Sequence, residues 1–79
     1  MRKVTLFTRD GCHLCEAAAR IIERVRGQTP FDFECINIDD PDNERWLDEY
    51  DHEVPVIHID GREFARHRLD EGLFREAVR

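Results

Sequence analysis

The sequence is short of several features, and each shortage excludes a class of protein. No apolar stretch approaches the ~18 consecutive residues that a membrane-spanning helix requires. The 12 Lys and Arg residues are outnumbered by 18 Asp and Glu residues, which gives a net charge of −6. General binding to nucleic acids or anionic membranes requires a basic face. We therefore expect a protein whose partners include neither nucleic acid nor membrane.

Linkers, internal repeats and low-complexity tracts are also lacking. The chain has 79 residues, of which 41% are hydrophobic and 38% charged. This composition is typical of one small globular domain rather than of a disordered segment. We predict a single domain over residues 1–79.

Cysteine is scarce, with three residues, and an odd number with two in one turn does not suggest the disulfide framework of a secreted protein. Met1-Arg2-Lys3 leads directly into a predicted strand, without the small-residue cleavage pattern of a secretory signal. We therefore expect a cytoplasmic protein, and we expect it to be a monomer.

Two of the cysteines, Cys12 and Cys15, lie three residues apart between a predicted strand and a predicted helix. A helix that begins at or just after Cys12 directs its unpaired N–H groups and the positive end of its dipole at that sulfur, which favours the thiolate. Cys12 is the candidate nucleophile, and Cys15, one turn deeper on the same side, is the candidate resolving thiol. A protonated His13 would further stabilise the Cys12 thiolate.

A C-x-x-C pair also occurs in zinc and iron–sulfur proteins. A closed zinc site needs four ligands, and the sequence contains neither a second C-x-x-C nor an H-x₃₋₅-H pair. A metal or iron–sulfur module would therefore need thiols from a second subunit or from glutathione. A third interpretation is a non-catalytic domain that senses redox state by forming the same disulfide. We favour dithiol redox chemistry and assign no metal ligands.

Hydrophobic periodicity predicts the element order β-α-β-α-β-β-α. The predicted strands cover residues 3–8, 31–38, 54–59 and 62–65, and the predicted helices begin after Cys12, Asp40 and Asp70. The first two strands are expected to be parallel, because a helix of about fourteen residues connects them. The last two strands are expected to be antiparallel, because Asp60-Gly61 is typical of a two-residue hairpin.

The same pattern predicts where several side chains lie. Cys35 is expected in or near the core, and Leu73 is expected on the buried side of the last helix. Trp46 is expected to pack in the core or at its rim. The basic group formed by Arg62 and residues 66–68 is interpreted as a solvated hairpin face, with an acidic partner as the alternative.

The chain resembles proteins of the thioredoxin fold in two motifs. Cys12-His13-Leu14-Cys15 follows the first predicted strand, and Val54-Pro55-Val56 opens the third. Glutaredoxin-like small proteins of that fold are the most similar. The resemblance implies an α/β fold with a four-stranded mixed sheet. It implies a thiol–disulfide oxidoreductase that reduces protein or small-molecule disulfides. It also implies that Pro55 follows a cis peptide bond and supports the two cysteines.

The resemblance further implies three substrate-binding residues: Arg9, Val54 and Asp70. Arg9 matches the basic residue that meets a carboxylate of glutathione, and Asp70 matches the acidic residue that meets its amino group. We expect no bound cofactor, and either glutathione or a thioredoxin-type reductant as the electron donor.

Two departures from the glutaredoxin pattern bear on the donor. The usual Pro-Tyr between the cysteines is replaced by His13-Leu14, and the usual Gly-Gly before the last helix is replaced by residues 66–69, Arg-His-Arg-Leu. Loss of close backbone contacts to a peptide ligand costs on the order of 1–3 kcal/mol, about one to two decades in affinity. We therefore predict weak turnover with glutathione, lowered further by Arg9→Ala.

Overall fold

Four strands form one mixed sheet in the order β2-β1-β3-β4 in the computed structural model, which describes residues 1–79. The strands are β1 (Lys3–Thr8), β2 (Asp32–Asn37), β3 (Val56–Ile59) and β4 (Arg62–Arg66). The helices are α1 (His13–Arg26), α2 (Glu44–Tyr50) and α3 (Glu71–Val78). The predicted element order is confirmed. None of the three helices combines the length and the apolar character that crossing a membrane would require.

The pairing of the strands follows the predicted connections. β1 and β2 are parallel, whereas β1–β3 and β3–β4 are antiparallel. The hairpin between β3 and β4 has both of its central residues at positive φ, Asp60 at 53° and Gly61 at 82°, as a type I′ turn requires. Asp60 also accepts hydrogen bonds from the Lys3 N–H and the Arg2 side chain, so the turn is fixed to the start of β1.

Successive strand residues point to opposite faces of the sheet. Each face is covered and carries its own apolar cluster. On the face covered by α1 and α3 the cluster consists of ten buried residues: Val4, Leu6, Ala18, Ile22, Val25, Phe31, Ile57, Leu69, Phe74 and Val78. On the opposite face the cluster is smaller and consists of Phe7, Ile38, Tyr50 and Val56. Trp46 stacks parallel to Tyr50 there, with ring centroids 5.7 Å apart, and is half-buried, as predicted.

The predicted start of the second helix needs a correction. The Asp40 carboxylate accepts the Asp42 N–H at 2.9 Å and caps a short 3-10 turn over Pro41–Asn43. The Asn43 N–H closes this turn by donating to the Asp40 carbonyl at 2.8 Å. α2 begins only at Glu44, and it lacks a side-chain cap because the Asn43 amide donates to the Asn37 carbonyl instead. The acidic stretch therefore forms a separate turn before the helix.

Two burial predictions are wrong. Cys35 is exposed, although Phe31 on the same strand face is buried. β2 is an edge strand, and the cover supplied by α1 and α3 ends before Cys35. Leu73 is 64% exposed, because the eight residues of α3 turn only Phe74 and Val78 fully toward the sheet. In both cases hydrophobic periodicity predicts which side of an element is apolar, but it does not predict how far the neighbouring elements cover that side.

Candidate active site

The two cysteines lie where β1 passes into α1. Gly11 has φ +73°, a conformation that favours glycine, and it turns the chain so that Cys12 becomes the extended N-cap of α1. The Cys12 sulfur accepts the Cys15 N–H at 3.2 Å. Cys12 and Cys15 have Cα atoms 5.2 Å apart and are joined by a disulfide bond.

The two sulfurs differ in access. Cys12 is partly exposed, whereas Cys15 is only 2% exposed and lies behind it in the first turn of α1. An incoming thiolate, or the disulfide of a substrate, therefore reaches Cys12 first. His13 is exposed at the first position of α1, so any contact that it makes with a charge at Cys12 is screened by water. The roles assigned to these residues from the sequence stay predictions.

The peptide bond between Val54 and Pro55 is cis, as the resemblance implies. Pro55 is buried, and its carbonyl accepts the His67 N–H at 2.7 Å. Val54 packs against the smaller apolar cluster. The hydrogen bond joins the segment before β3 to the loop between β4 and α3.

Arg9 is held by two carboxylates. Its guanidinium donates to both carboxylate oxygens of Asp39, at 2.6 and 3.1 Å, and to the carboxylate and carbonyl of Asp51, at 2.9 and 2.6 Å. These hydrogen bonds hold the pKa of Asp39 below its usual range and raise the pKa of Arg9. We call Arg9, Asp39 and Asp51 the Arg9 clamp. It ties the loop before Cys12 to the loop after β2 and to the end of α2, and a ligand role for Arg9 stays a prediction.

The loop between β4 and α3 carries the basic residues that replace Gly-Gly. Arg66 pairs with Glu63 at 2.6 Å and with Glu53 at 3.3 Å, and His67 contacts the same Glu53 oxygen at 2.9 Å. The hydrogen bonds from His67 and Arg66 lower the pKa of Glu53. Arg68 is exposed and makes no ion pair. The interpretation as a solvated face therefore holds for Arg68. It does not hold for Arg66 and His67, whose acidic partners come from the chain itself.

His67 has φ +70°, in the left-handed region that favours glycine. Histidine is one of the residues that enter this region more often than most side chains. The loop thus keeps a glycine-like backbone without glycine. Asp70 follows as the N-cap of α3 and accepts the Leu73 N–H at 2.9 Å, which confirms the predicted cap. Its contact with a ligand amino group stays a prediction.

Sequence reasoning missed a groove along one side of α1. It lies between the start of α1 and the loop that precedes α3, encloses about 210 Å³, and is lined by Leu14, Ala17, Ala18, Ile21, His67, Arg68 and Leu69. We call it the Leu14 groove. Leu14, on the apolar side of α1, is 39% exposed. The available signal was an apolar stripe on α1 that is wider than the sheet can cover.

The chain contains no complete metal-binding site of its own. No three His, Cys, Asp or Glu side chains come together as metal ligands. Cys12 and Cys15 would therefore have to be completed by ligands from outside the chain.

The family model described as a glutaredoxin-like domain (DUF836) matches residues 3–79. Among curated proteins, a glutaredoxin-like protein of Dictyostelium discoideum is 39% identical over 72 residues. That match covers 86% of this chain and 67% of the relative.

Solved structures give the same fold. Protein Ne2328 of Nitrosomonas europaea has a TM-score of 0.80 at 30% identity, covering 99% of this chain and 92% of that one. NrdH-redoxin from Escherichia coli, described as a glutaredoxin-like protein with a thioredoxin-like activity profile, has a TM-score of 0.66 at 26% identity, with 98% and 95% coverage. Thioredoxins are further neighbours at lower identity. The predicted thioredoxin-like α/β fold is confirmed.

Proposed function

Because this chain belongs to the glutaredoxin-like domain family, we propose that it is a thiol–disulfide oxidoreductase with Cys12 as nucleophile and Cys15 as resolving thiol. The observation that carries the proposal is the start of α1. The Cys15 N–H donates to the Cys12 sulfur at 3.2 Å, and a helix N-terminus favours a negative charge at that place. The thiolate is the reacting form in thiol–disulfide exchange.

The proposed reaction begins with the reduced protein. The Cys12 thiolate attacks one sulfur of a substrate disulfide, so that a Cys12–substrate disulfide forms and the other substrate sulfur leaves as a thiolate and takes a proton from water. Cys15 then loses its proton and attacks the Cys12 sulfur. The second substrate thiolate leaves, and the Cys12–Cys15 disulfide remains. The substrate has gained two electrons and the protein has lost two.

The burial of the two cysteines supports this division of roles. Cys12 is accessible to a substrate, whereas Cys15 is covered and reaches only Cys12. His13, Val54 and Pro55 are proposed as supporting residues that border the site. We place the reaction in the cytoplasm, where thiols are kept reduced, and we propose that the monomer suffices for it.

The test is capture of the mixed disulfide. In a Cys35→Ser background, which removes the exposed third thiol, Cys15→Ser should accumulate a disulfide between Cys12 and a substrate. The substrate is presented either as a disulfide-containing protein or as a small neutral disulfide, and mass spectrometry identifies the adduct. Turnover should fall sharply, because no resolving thiol remains to release the substrate.

The matched variant is Cys12→Ser in the same background, which should neither form the adduct nor turn over. An adduct that forms equally well through Cys15 would overturn the assignment. Absence of turnover by the wild type with every donor would favour the metal-binding or redox-sensing interpretations.

We propose that a thioredoxin-type reductant regenerates the dithiol faster than glutathione does. The Arg9 guanidinium is surrounded by Asp39 and Asp51 and is poorly placed to receive a glutathione carboxylate. The side chains of Arg66, His67 and Arg68 add bulk where glutaredoxins usually carry Gly-Gly. The thioredoxin-like activity profile of NrdH-redoxin is consistent with this choice of donor.

A further inference from the structure

The turn that presents Cys12 has no backbone support of its own. Residues 9–11 connect β1 to α1, and none of them makes a backbone hydrogen bond. Before the turn, the Thr8 carbonyl accepts the Ile38 N–H at 2.9 Å. After it, the Cys12 carbonyl accepts the Glu16 N–H at 3.0 Å. The only hydrogen bonds that hold the turn itself are those of the Arg9 side chain.

The two carboxylates that bind Arg9 are fixed by separate parts of the fold. Asp39 donates its N–H to the Asn37 side chain at 2.9 Å, directly after β2. Asp51 ends α2, which is anchored by the buried ring of Tyr50. Arg9 itself is only 27% exposed, so water screens its contacts only in part. The Arg9 clamp therefore fastens an otherwise unsupported turn to two ordered elements.

The place of this turn decides how Cys12 meets the start of α1. As the N-cap of α1, Cys12 is extended, and its sulfur accepts the Cys15 N–H at 3.2 Å. The helix dipole and this N–H stabilise a negative charge only close to the first turn of the helix. In the oxidised protein the disulfide also holds the Cys12 sulfur there. Once the disulfide is reduced, the sulfur keeps its place only as far as the preceding turn is held.

We propose that Asp39 and Asp51 are positioning residues for the reaction, because by binding Arg9 they hold the turn that keeps the Cys12 thiolate at the start of α1. This inference rests on the proposed oxidoreductase function and adds two residues that act only through Arg9. Loss of either carboxylate should leave the Cys12 thiolate less stabilised and should raise the pH at which Cys12 becomes reactive.

The sign of this effect separates positioning from direct electrostatics. Removing a carboxylate makes the surroundings of Cys12 less negative, which by charge alone favours the thiolate. Releasing the turn acts in the opposite direction. Arg9→Ala does not separate the two causes, since loss of a cation and release of the turn both disfavour the thiolate. Asp39→Ala is therefore the informative variant.

The test is the rate at which iodoacetamide, a neutral reagent, alkylates Cys12 in the reduced protein at a series of pH values. A Cys35→Ser background removes the exposed third thiol, and mass spectrometry locates the label on Cys12. We expect the midpoint of the pH profile to rise by about 0.5 unit in Asp39→Ala, since a helix N-terminus stabilises a charge by a comparable amount. The rise should be smaller in Asp51→Ala, because the Asp51 carbonyl still accepts from Arg9.

The same variants should show the effect in turnover. At pH values below the midpoint, kcat/KM for hydroxyethyl disulfide should fall about threefold in Asp39→Ala, and it should approach the wild-type value at higher pH. This quantity reports the attack of Cys12 on the disulfide and not the later step with the electron donor. Asp10 and His13, the charged neighbours of Cys12 in the sequence, are present in every variant, so their contributions cancel in the comparison.

Asp42→Ala is the matched control. Asp42 lies in the same loop as Asp39 and undergoes the same change of charge, but its exposed carboxylate makes no hydrogen bond or ion pair. Its midpoint should stay at the wild-type value or fall slightly. Where Asp39→Ala does not fold, Asp51→Ala carries the same test, since it keeps the pair between Arg9 and Asp39.

Two results would overturn the positioning role and leave the proposed function intact. One is a midpoint that stays or falls in a folded clamp variant, and the other is an equal rise in Asp42→Ala. Failure of the wild type to reduce hydroxyethyl disulfide would instead overturn the proposed function on which the inference rests.

Discussion

Two arginines lie near the start of α1, and they differ in what surrounds them. Arg9, before Cys12, is only 27% exposed and is held by Asp39 and Asp51. Arg68, before α3, is exposed and makes no ion pair. The sequence alone favours Arg9 as the ligand-binding cation, because it matches a family position. The structure shows that the availability of a charge depends on residues that the fold brings to it.

The largest expected difference between the two arginines is in stability. Arg9→Ala removes the four hydrogen bonds of the Arg9 clamp and leaves the carboxylates of Asp39 and Asp51 without their shared cation. Arg68→Ala removes no ion pair and no side-chain hydrogen bond, because Arg68 makes neither. We expect a clear fall in the melting temperature for Arg9→Ala and a change within error for Arg68→Ala. Thermal unfolding followed by circular dichroism measures both, and equal shifts would show that the clamp contributes nothing.

A smaller effect is expected in the way the stability contributed by the Arg9 clamp depends on pH. Arg9 holds the pKa of Asp39 below its usual value, so the clamp stabilises the folded protein at pH values above the unfolded pKa of about 3.9. That stability is lost as the pH falls through the lower, folded pKa.

The stability difference between the wild type and Arg9→Ala should therefore be steady between about pH 5 and pH 7 and should shrink below about pH 4. Urea unfolding midpoints across this range measure it. Carboxylates outside the Arg9 clamp titrate in both proteins, so their contributions cancel in the difference. A gap that is unchanged at about pH 3 would contradict the role of Asp39.

The sequence predicted the fold more completely than the site, and the physical reason is range. The strands, α1 and the Asp60-Gly61 turn are fixed by neighbouring residues, so periodicity and turn chemistry were sufficient. The start of α1 at Cys12 is equally local. The Arg9 clamp joins Arg9 to Asp39 and Asp51, which lie 30 and 42 positions further along the chain. No local sequence pattern therefore predicts it.

The errors have the same origin. Cys35 and Leu73 are exposed because the edge of the sheet and the length of α3 limit the cover, and both limits are set by the assembled fold. The Leu14 groove and the left-handed conformation of His67 depend likewise on how the loop before α3 packs against α1 and Pro55.

The smallest expected effect gives the sharpest comparison between the two arginines. The family resemblance predicts that Arg9→Ala lowers turnover with glutathione, because a cation for its carboxylate is lost. The clamp predicts little change, since Asp39 and Asp51 already use the guanidinium. We expect KM for glutathione to change less than about fivefold, at a temperature where the variant stays folded, because an exposed charge contact contributes at most about 1 kcal/mol. Arg68→Ala, which removes a free cation beside the site, is the matched comparison and should raise KM at least as much.

Coupled assays with glutathione and glutathione reductase give both values, with a thioredoxin-type reductase system run in parallel. A tenfold rise in KM confined to Arg9→Ala would show that the clamp opens to receive glutathione and would restore the role that the resemblance implies.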